Sequence, residues 1–125
     1  MQNTHGMDPE KPMFPISVIA DILKVHQRTL RIYDDENILR PSRSPKNSRT
    51  YSFNDIERGK FIQYLTRKQG LNLAGIKIIF HLLKQQKITP NKYMEHISKV
   101  VQALNISLKV QGKSRIKQTK KSKGL

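Results

Sequence analysis

The side chains that could do chemistry in this 125-residue chain are cations gathered as if for a polyanion. The segment QRTLRIYDDE from Gln27 carries Arg28 and Arg31, and the segment PSRSPKNSR carries Arg43, Lys46 and Arg49. Residues 109–125 add seven basic residues and no acid. Lys and Arg total 24 against 9 acids, a formal charge of +15, with a pI near 10.4. Such an excess points to nucleic acid or an anionic membrane face. Other chemistries fall away. Without cysteine there is no disulfide, cysteine zinc site, Fe–S cluster or thiol sensor. His5, His26, His81 and His96 show no ligand spacing, so neither metal nor cofactor is expected. No carboxylate pair, Ser/His/Asp set or nucleophile elbow is present, which argues against an enzyme and leaves no catalytic residue to name. Gly112-Lys113-Ser114 looks like the end of a phosphate-binding loop, but Ser107 stands where the first glycine is required.

These cations need elements to position them. Ile16, Ile19, Ala20 and Leu23 recur at helical spacing, with Ser17 as the expected N-cap. A second short helix is read over 27–36, closed by Asn37, which accepts the left-handed conformation well. Two short helices with so brief a connection outline a helix-turn-helix. Ile38-Leu39-Arg40 and Thr50-Tyr51-Ser52 read as strands flanking a loop with two prolines, a ribbon with a basic tip like a wing. Alone such a ribbon would be marginal.

Ser52-Phe53-Asn54-Asp55 gives the S-x-x-D variant of a capping box, opening a helix to about Gln69 with Gly70 as its stop. Asn72 can cap another helix, LAGIKIIFHLLKQQ, apolar nearly all round and therefore in need of cover from more than one side. After Thr89-Pro90 the helical pattern resumes. Met94, Ile97, Val101, Leu104 and Leu108 are spaced 3, 4, 3 and 4, an a/d seam over about two heptads. That seam is either a dimer contact or the face of an amphipathic helix packing within its own chain. The preceding apolar helix favours the dimer and adds Ile79 to its expected interface. The first dozen residues and the basic end from 109 read as unstructured. Expected limits are 14–84 for the domain, 91–108 for the dimerisation helix and 109–125 for the tail. No run approaches the roughly 18 apolar residues of a membrane span, and MQNTHGMDPEKP has no signal-peptide core. A soluble cytoplasmic protein, nucleoid-associated, is the expectation.

Three blocks then resemble the amino-terminal domain of MerR-family transcription regulators: Ile16-Ser17-Val18-Ile19-Ala20, Thr29-Leu30-Arg31-Ile32-Tyr33-Asp34 and Arg49-Thr50-Tyr51-Ser52. The resemblance runs over residues 14–80. Gln69-Gly70-Leu71-Asn72-Leu73-Ala74-Gly75-Ile76-Lys77 and the turn Val25-His26-Gln27-Arg28 are similar to HspR-type heat-shock repressors. Glutamine-synthetase repressors of the same family share the Phe14-Pro15-Ile16 opening and a basic tail. Departures are Ile32 for an aromatic, Asn37 for Gly, Gln27 for Pro, and a wing poorer in Gly. The implied fold is a mainly α winged helix-turn-helix with a dimerisation helix.

The resemblance implies that the helix from Gln27 enters the major groove of double-stranded DNA, with Gln27, Arg28 and Arg31 facing base edges. Ser17 and Thr29 fall within the matching motifs. Tyr33 would bond a phosphate, Arg43, Lys46, Asn47, Ser48 and Arg49 of the wing would grip backbone, and Tyr51 would brace the wing base. A homodimer would read an inverted repeat and bend the duplex between half-sites. Without cysteines or a ligand domain the expected signal is a protein partner, and the HspR-type likeness implies a DnaK-type chaperone co-repressor or a temperature-dependent dimer. The targets implied are heat-shock and chaperone operons, with nitrogen-assimilation genes as the alternative. RNA or ribosome binding is the rival from another class, but the four Phe and four Tyr fall largely on core or hairpin positions. A membrane surface suits poorly a tail without an apolar face.

Removing residues 112–125 should weaken DNA binding evenly across sequences and flatten its salt dependence. Equal salt slopes for full-length and shortened protein would exclude the tail as a phosphate clamp.

Overall fold

The computed structural model describes residues 7–111, with side chains as far as residue 105. It comprises a first unit ending at Tyr93 and a helical unit from Met94. The first unit opens with β1 (Phe14–Pro15) running straight into α1 (Ile16–Leu23). Ser17 is not the N-cap but the second residue of α1. Phe14 pairs with Tyr51 and Pro15 with Thr50, so the chain stays extended to Pro15 and turns helical immediately after it. Ile19, Ala20 and Leu23 are the buried stripe of α1, as their spacing predicts. Lys24 then takes a left-handed conformation (φ 58°), its N–H reaching the carbonyls of Ala20 and Asp21. Three residues on, α2 (Gln27–Asp35) begins. Asn37 is left-handed at φ 60°, as expected of it.

Ile38-Leu39-Arg40 is not a strand. The N–H groups of Ile38 and Leu39 both bond the Tyr33 carbonyl and finish α2. Both side chains are buried, which the alternation of a half-solvated strand does not allow. The wing strands lie further on, as β2 (Ser42–Arg43) and β3 (Arg49–Tyr51), antiparallel, with Arg43 directly opposite Arg49. β1 pairs on the other edge of β3, so the sheet order is β1-β3-β2. At the wing tip the Asn47 N–H bonds the Ser44 carbonyl at 2.8 Å, and Asn47 (φ 65°) takes a left-handed position that suits glycine best. Asparagine is the next best occupant, so this wing turns without Gly.

α3 (Phe53–Arg67) starts on the predicted capping box. Ser52 Oγ accepts the Asp55 N–H at 3.1 Å, and the Asp55 carboxylate accepts the Ser52 N–H at 2.9 Å. α1 crosses α3 at Gly59, where any Cβ would collide with the Leu23 side chain. Beyond α3, Gly70 turns the chain (φ 67°). Asn72 Oδ1 then caps α4 (Leu73–Gln85) by accepting the Gly75 N–H at 2.9 Å. Of the α4 apolar set, Ile76 and Leu83 are buried and Ile79 is half-buried. Phe80 packs edge-on or tilted against Phe61 and Tyr93 at centroid distances of 5.6 and 5.7 Å, and those two rings lie 5.1 Å apart. Ile78 (62 % exposed) and Leu82 (49 %) stay in solvent. A 3-10 turn, Pro90–Lys92, leads to α5 (Tyr93–Gln111). That helix is longer than expected. Residues 109–111, read above as tail, are helical, since Lys, Val and Gln continue a helix without a breaker before Gly112. Residues 112–125 lie outside the described residues, as do residues 1–6.

The segment before β1 is also a correction, because residues 7–13 are tied down. The Met13 N–H bonds the Tyr51 carbonyl and the Asn54 N–H bonds the Pro9 carbonyl. Glu10 accepts from Arg58 at 2.7 and 3.1 Å and from the Asn54 amide at 3.0 Å. Composition hid this strap because its partners lie about 40 residues or more away. The Arg58 hydrogen bonds hold the Glu10 carboxyl below its usual range, over the opposing effect of partial burial. A depressed folded-state pKa adds stability above the unfolded value, near 4.3, and loses it as pH falls through the folded one. Glu10→Gln should therefore cost about 1 kcal/mol or less at neutral pH, given the partial exposure of the pair. Urea melts of the two proteins should converge in strongly acidic buffer, and a pH-independent gap would sink this account.

Candidate nucleic-acid interface

α2 is amphipathic by sequence and lies accordingly. Leu30, Tyr33 and Asp34 face inward, while Arg28, Arg31, Ile32 and Asp35 face solvent. Gln27 is half-buried and its Oε1 accepts from Arg31 Nη2 at 3.3 Å, so the two sit on one face a turn apart. Thr29 is half-buried, with its N–H on the His26 carbonyl. Ser17 is exposed in the first turn of α1. The helix therefore offers solvent two guanidiniums and an amide, the donors and acceptor that discriminate base edges.

The wing adds Arg43, Lys46 and Arg49, and the structure ties it to α2 through a residue that sequence reading passed over. Asp34, only 6 % exposed, accepts from Arg40 Nε at 3.1 Å and from Arg49 Nε at 3.1 Å, with Arg43 Nη2 at 3.6 Å. Arg40 also donates to Asn37 Oδ1 at 2.6 Å, and Arg43 to the Asn47 carbonyl at 3.3 Å. A usable signal existed. Asp34 falls on the apolar stripe Leu30, Tyr33, Asp34 at i, i+3, i+4, and a carboxylate on a buried stripe must find cationic partners. At the tip Lys46, Asn47 and Ser48 are exposed, Ser48 donating its N–H to Ser44 Oγ at 3.1 Å. Lys46 makes no ion pair among the described residues. Arg49 is less free than expected: its Nε is committed to Asp34 and its side chain is 22 % exposed.

Two tyrosines of the expected site are buried. Tyr33, expected to bond a phosphate, is 5 % exposed, and its hydroxyl accepts from Gln63 Nε2 at 2.7 Å. It joins α2 to α3, and burial pushes its phenol up against the counteracting Gln63 bond. Tyr51, expected to brace the wing base, is fully buried on β3. Burial pushes its phenol up to about 12. Its hydroxyl has no hydrogen-bond partner among the described residues.

A family model described as "MerR HTH family regulatory protein" matches residues 14–83. The chain belongs to the MerR family. Among relatives, the HTH-type transcriptional regulator GlnR of Bacillus anthracis is 35 % identical over 89 residues, 71 % of this chain and 67 % of its own length. The putative heat shock protein HspR of Streptomyces coelicolor is 38 % identical over 84 residues, 67 % of this chain and 56 % of its own. The transcription regulator PbrR691 of Ralstonia metallidurans CH34, solved in complex with lead(II), superposes with a TM-score of 0.55. It is 24 % identical, the match covering 86 % of this chain and 91 % of that one, and it supports the fold alone. MerR-family proteins are DNA-binding transcription regulators and not enzymes, and the chain is one of them. Its fold is the mainly α winged helix-turn-helix expected. No described helix is long and apolar enough to cross a membrane.

Tyr51→Phe tests the buried hydroxyl. A buried hydroxyl without a partner costs about 1–3 kcal/mol, so its removal should leave stability unchanged or raise it, with DNA affinity intact. A lower melting temperature together with weaker DNA binding would restore a polar role to that hydroxyl.

Proposed function

We propose that the chain is a dimeric repressor that reads an inverted-repeat operator. One observation carries this: a cationic second helix, with Arg28 and Arg31 in solvent, is joined through Asp34 to a cationic wing. Gln27, Arg28 and Arg31 read base edges in the major groove, with Thr29 and Ser17 beside them on phosphate. Arg43, Lys46, Asn47, Ser48 and Arg49 hold the flanking backbone. The seam residues Met94, Ile97, Val101, Leu104 and Leu108, with Ile79, join two copies. The exposed Ile78 and Leu82 on α4 and Val100 and Leu104 on α5 support that reading, because solvated aliphatics gain by a second subunit's cover. The side chain of Leu108 lies outside the described residues. Two modules related by a two-fold axis ask for half-sites about one helical turn apart or a multiple of it.

The regulated genes are those of the heat-shock response, on the likeness to HspR, with a DnaK-type chaperone as the co-repressor that likeness suggests. Nitrogen-assimilation genes are the second reading, favoured by the longer match to GlnR. Genome-wide mapping of bound promoters separates them, since chaperone promoters and glutamine-synthetase promoters are distinct sets. Selection of duplexes from a random library tests the site itself: an inverted repeat is expected, and no enriched palindrome would overturn the reading. On the selected repeat, Arg31→Ala should cost about 5- to 150-fold in affinity, the worth of one bidentate base contact, and far less on scrambled duplex. Equal losses on both would demote Arg31 to a phosphate contact.

A further inference from the structure

We infer that Asp34 is a positioning residue for DNA recognition, fixing the angle between α2 and the wing so that both meet the duplex in register. The inference rests on α2 being the reading helix. Its basis is the wing's own electrostatics. The register of β2 and β3 sets Arg43 directly opposite Arg49, and like charges directly opposite one another destabilise a strand pair. The hairpin is two and three residues long, too short to hold its geometry alone. A single carboxylate from outside the sheet answers both problems. Asp34 reaches Arg49 at 3.1 Å and Arg43 at 3.6 Å, so α2 supplies the charge that lets the two strands stay paired. Arg40, on the connection between α2 and β2, bonds the other oxygen at 3.1 Å. Helix, connection and both wing strands thus converge on one side chain, and its burial strengthens each contact relative to a surface pair.

Three guanidiniums against one carboxylate leave the cluster with two uncompensated positive charges. The cluster is therefore restrained without being neutralised, and its cations remain attractive to phosphate. A general electrostatic role and a positioning role then make opposite forecasts. Loss of an acid makes the chain more cationic and should tighten binding to any duplex. Loss of the restraint should weaken binding only where helix and wing must fit together.

The test uses full-length Asp34→Asn, the inverted repeat selected by wild-type protein and a scrambled duplex of equal composition. The operator-to-scrambled affinity ratio should fall at least about tenfold, through weaker operator binding with equal or tighter scrambled binding. An unchanged ratio, or a parallel loss on both duplexes, would overturn the inference. Failure of wild-type protein to select any repeat would instead overturn the assignment of α2 as the reader. The chain has no cysteine, so spin labels can be placed at Lys46→Cys and Lys60→Cys, diluted with unlabelled chain. The distance distribution should be narrow with Asp34 and broad with Asn, and equal widths would also sink the idea. Should Asp34→Asn not fold, Asp34→Glu decides, since its carboxylate sits one methylene further out. A shifted label distance with a ratio lowered about threefold or more is expected, and wild-type values for both would refute it.

Discussion

The junction of α2 with the wing depends on one buried carboxylate. Asp34 lies on the inward face of α2, where water cannot solvate it, and only the guanidiniums of Arg40, Arg43 and Arg49 make its charge tolerable. The dependence runs both ways. Arg43 and Arg49 repel across the wing ladder, and they stay opposed because this charge sits beside them. Breaking such an arrangement from one side leaves charge without compensation. That is why removing a single partner of such a pair costs more than the pair contributes net, the exposed Arg40 and Arg43 leaving solvent to screen part of the loss.

What lets so small a domain hold a carboxylate so firmly is its seating. Ile19, Leu30, Leu39, Tyr51, Phe61 and Ile62 are buried with almost no exposure, and they come from α1, α2, the connection, β3 and α3. α3 is the common wall. It starts on a reciprocal capping box, gives Gln63 to the Tyr33 hydroxyl, and sends Arg67 to the Lys24 carbonyl in the helix-turn-helix turn. β1 and the strap before it close the other edge of β3, so the wing is flanked by sheet on one side and held by arginines on the other. Neither device would suffice alone for strands this short.

Much of this was legible in the sequence wherever the determinant was local. Asn37, Gly70, Asn72 and the Ser52–Asp55 box each act within four residues, and each ends or starts its element where its chemistry predicts. The failures share a cause. Ile38-Leu39-Arg40 has strand composition, yet two successive residues are buried because the chain is still unwinding from α2. Ser17 suits an N-cap, but pairing of Phe14 and Pro15 with β3 starts the helix earlier. The strap at Glu10 and the inward turn of Tyr33 depend on Arg58 and Gln63, far away in the chain. Asp34 stood on the buried stripe in plain view. Its meaning emerges only once the strands bring Arg43 and Arg49 to it.

Affinity and fit draw on different cations in this design. Lys46 at the wing tip and Arg28 on α2 carry no ion pair among the described residues, so their charge is fully available to phosphate or base. Arg43 and Arg49 are held, and a held guanidinium has already lost the rotamer freedom that binding would otherwise take, roughly 0.5–1.5 kcal/mol per side chain. Part of their charge is offset by Asp34, which lowers their non-specific pull while leaving their geometry fixed. A regulator searching a genome gains from that division. On the proposed reading, loose cations hold it to any duplex, and restrained ones add their contacts only where the groove beside α2 has the matching shape.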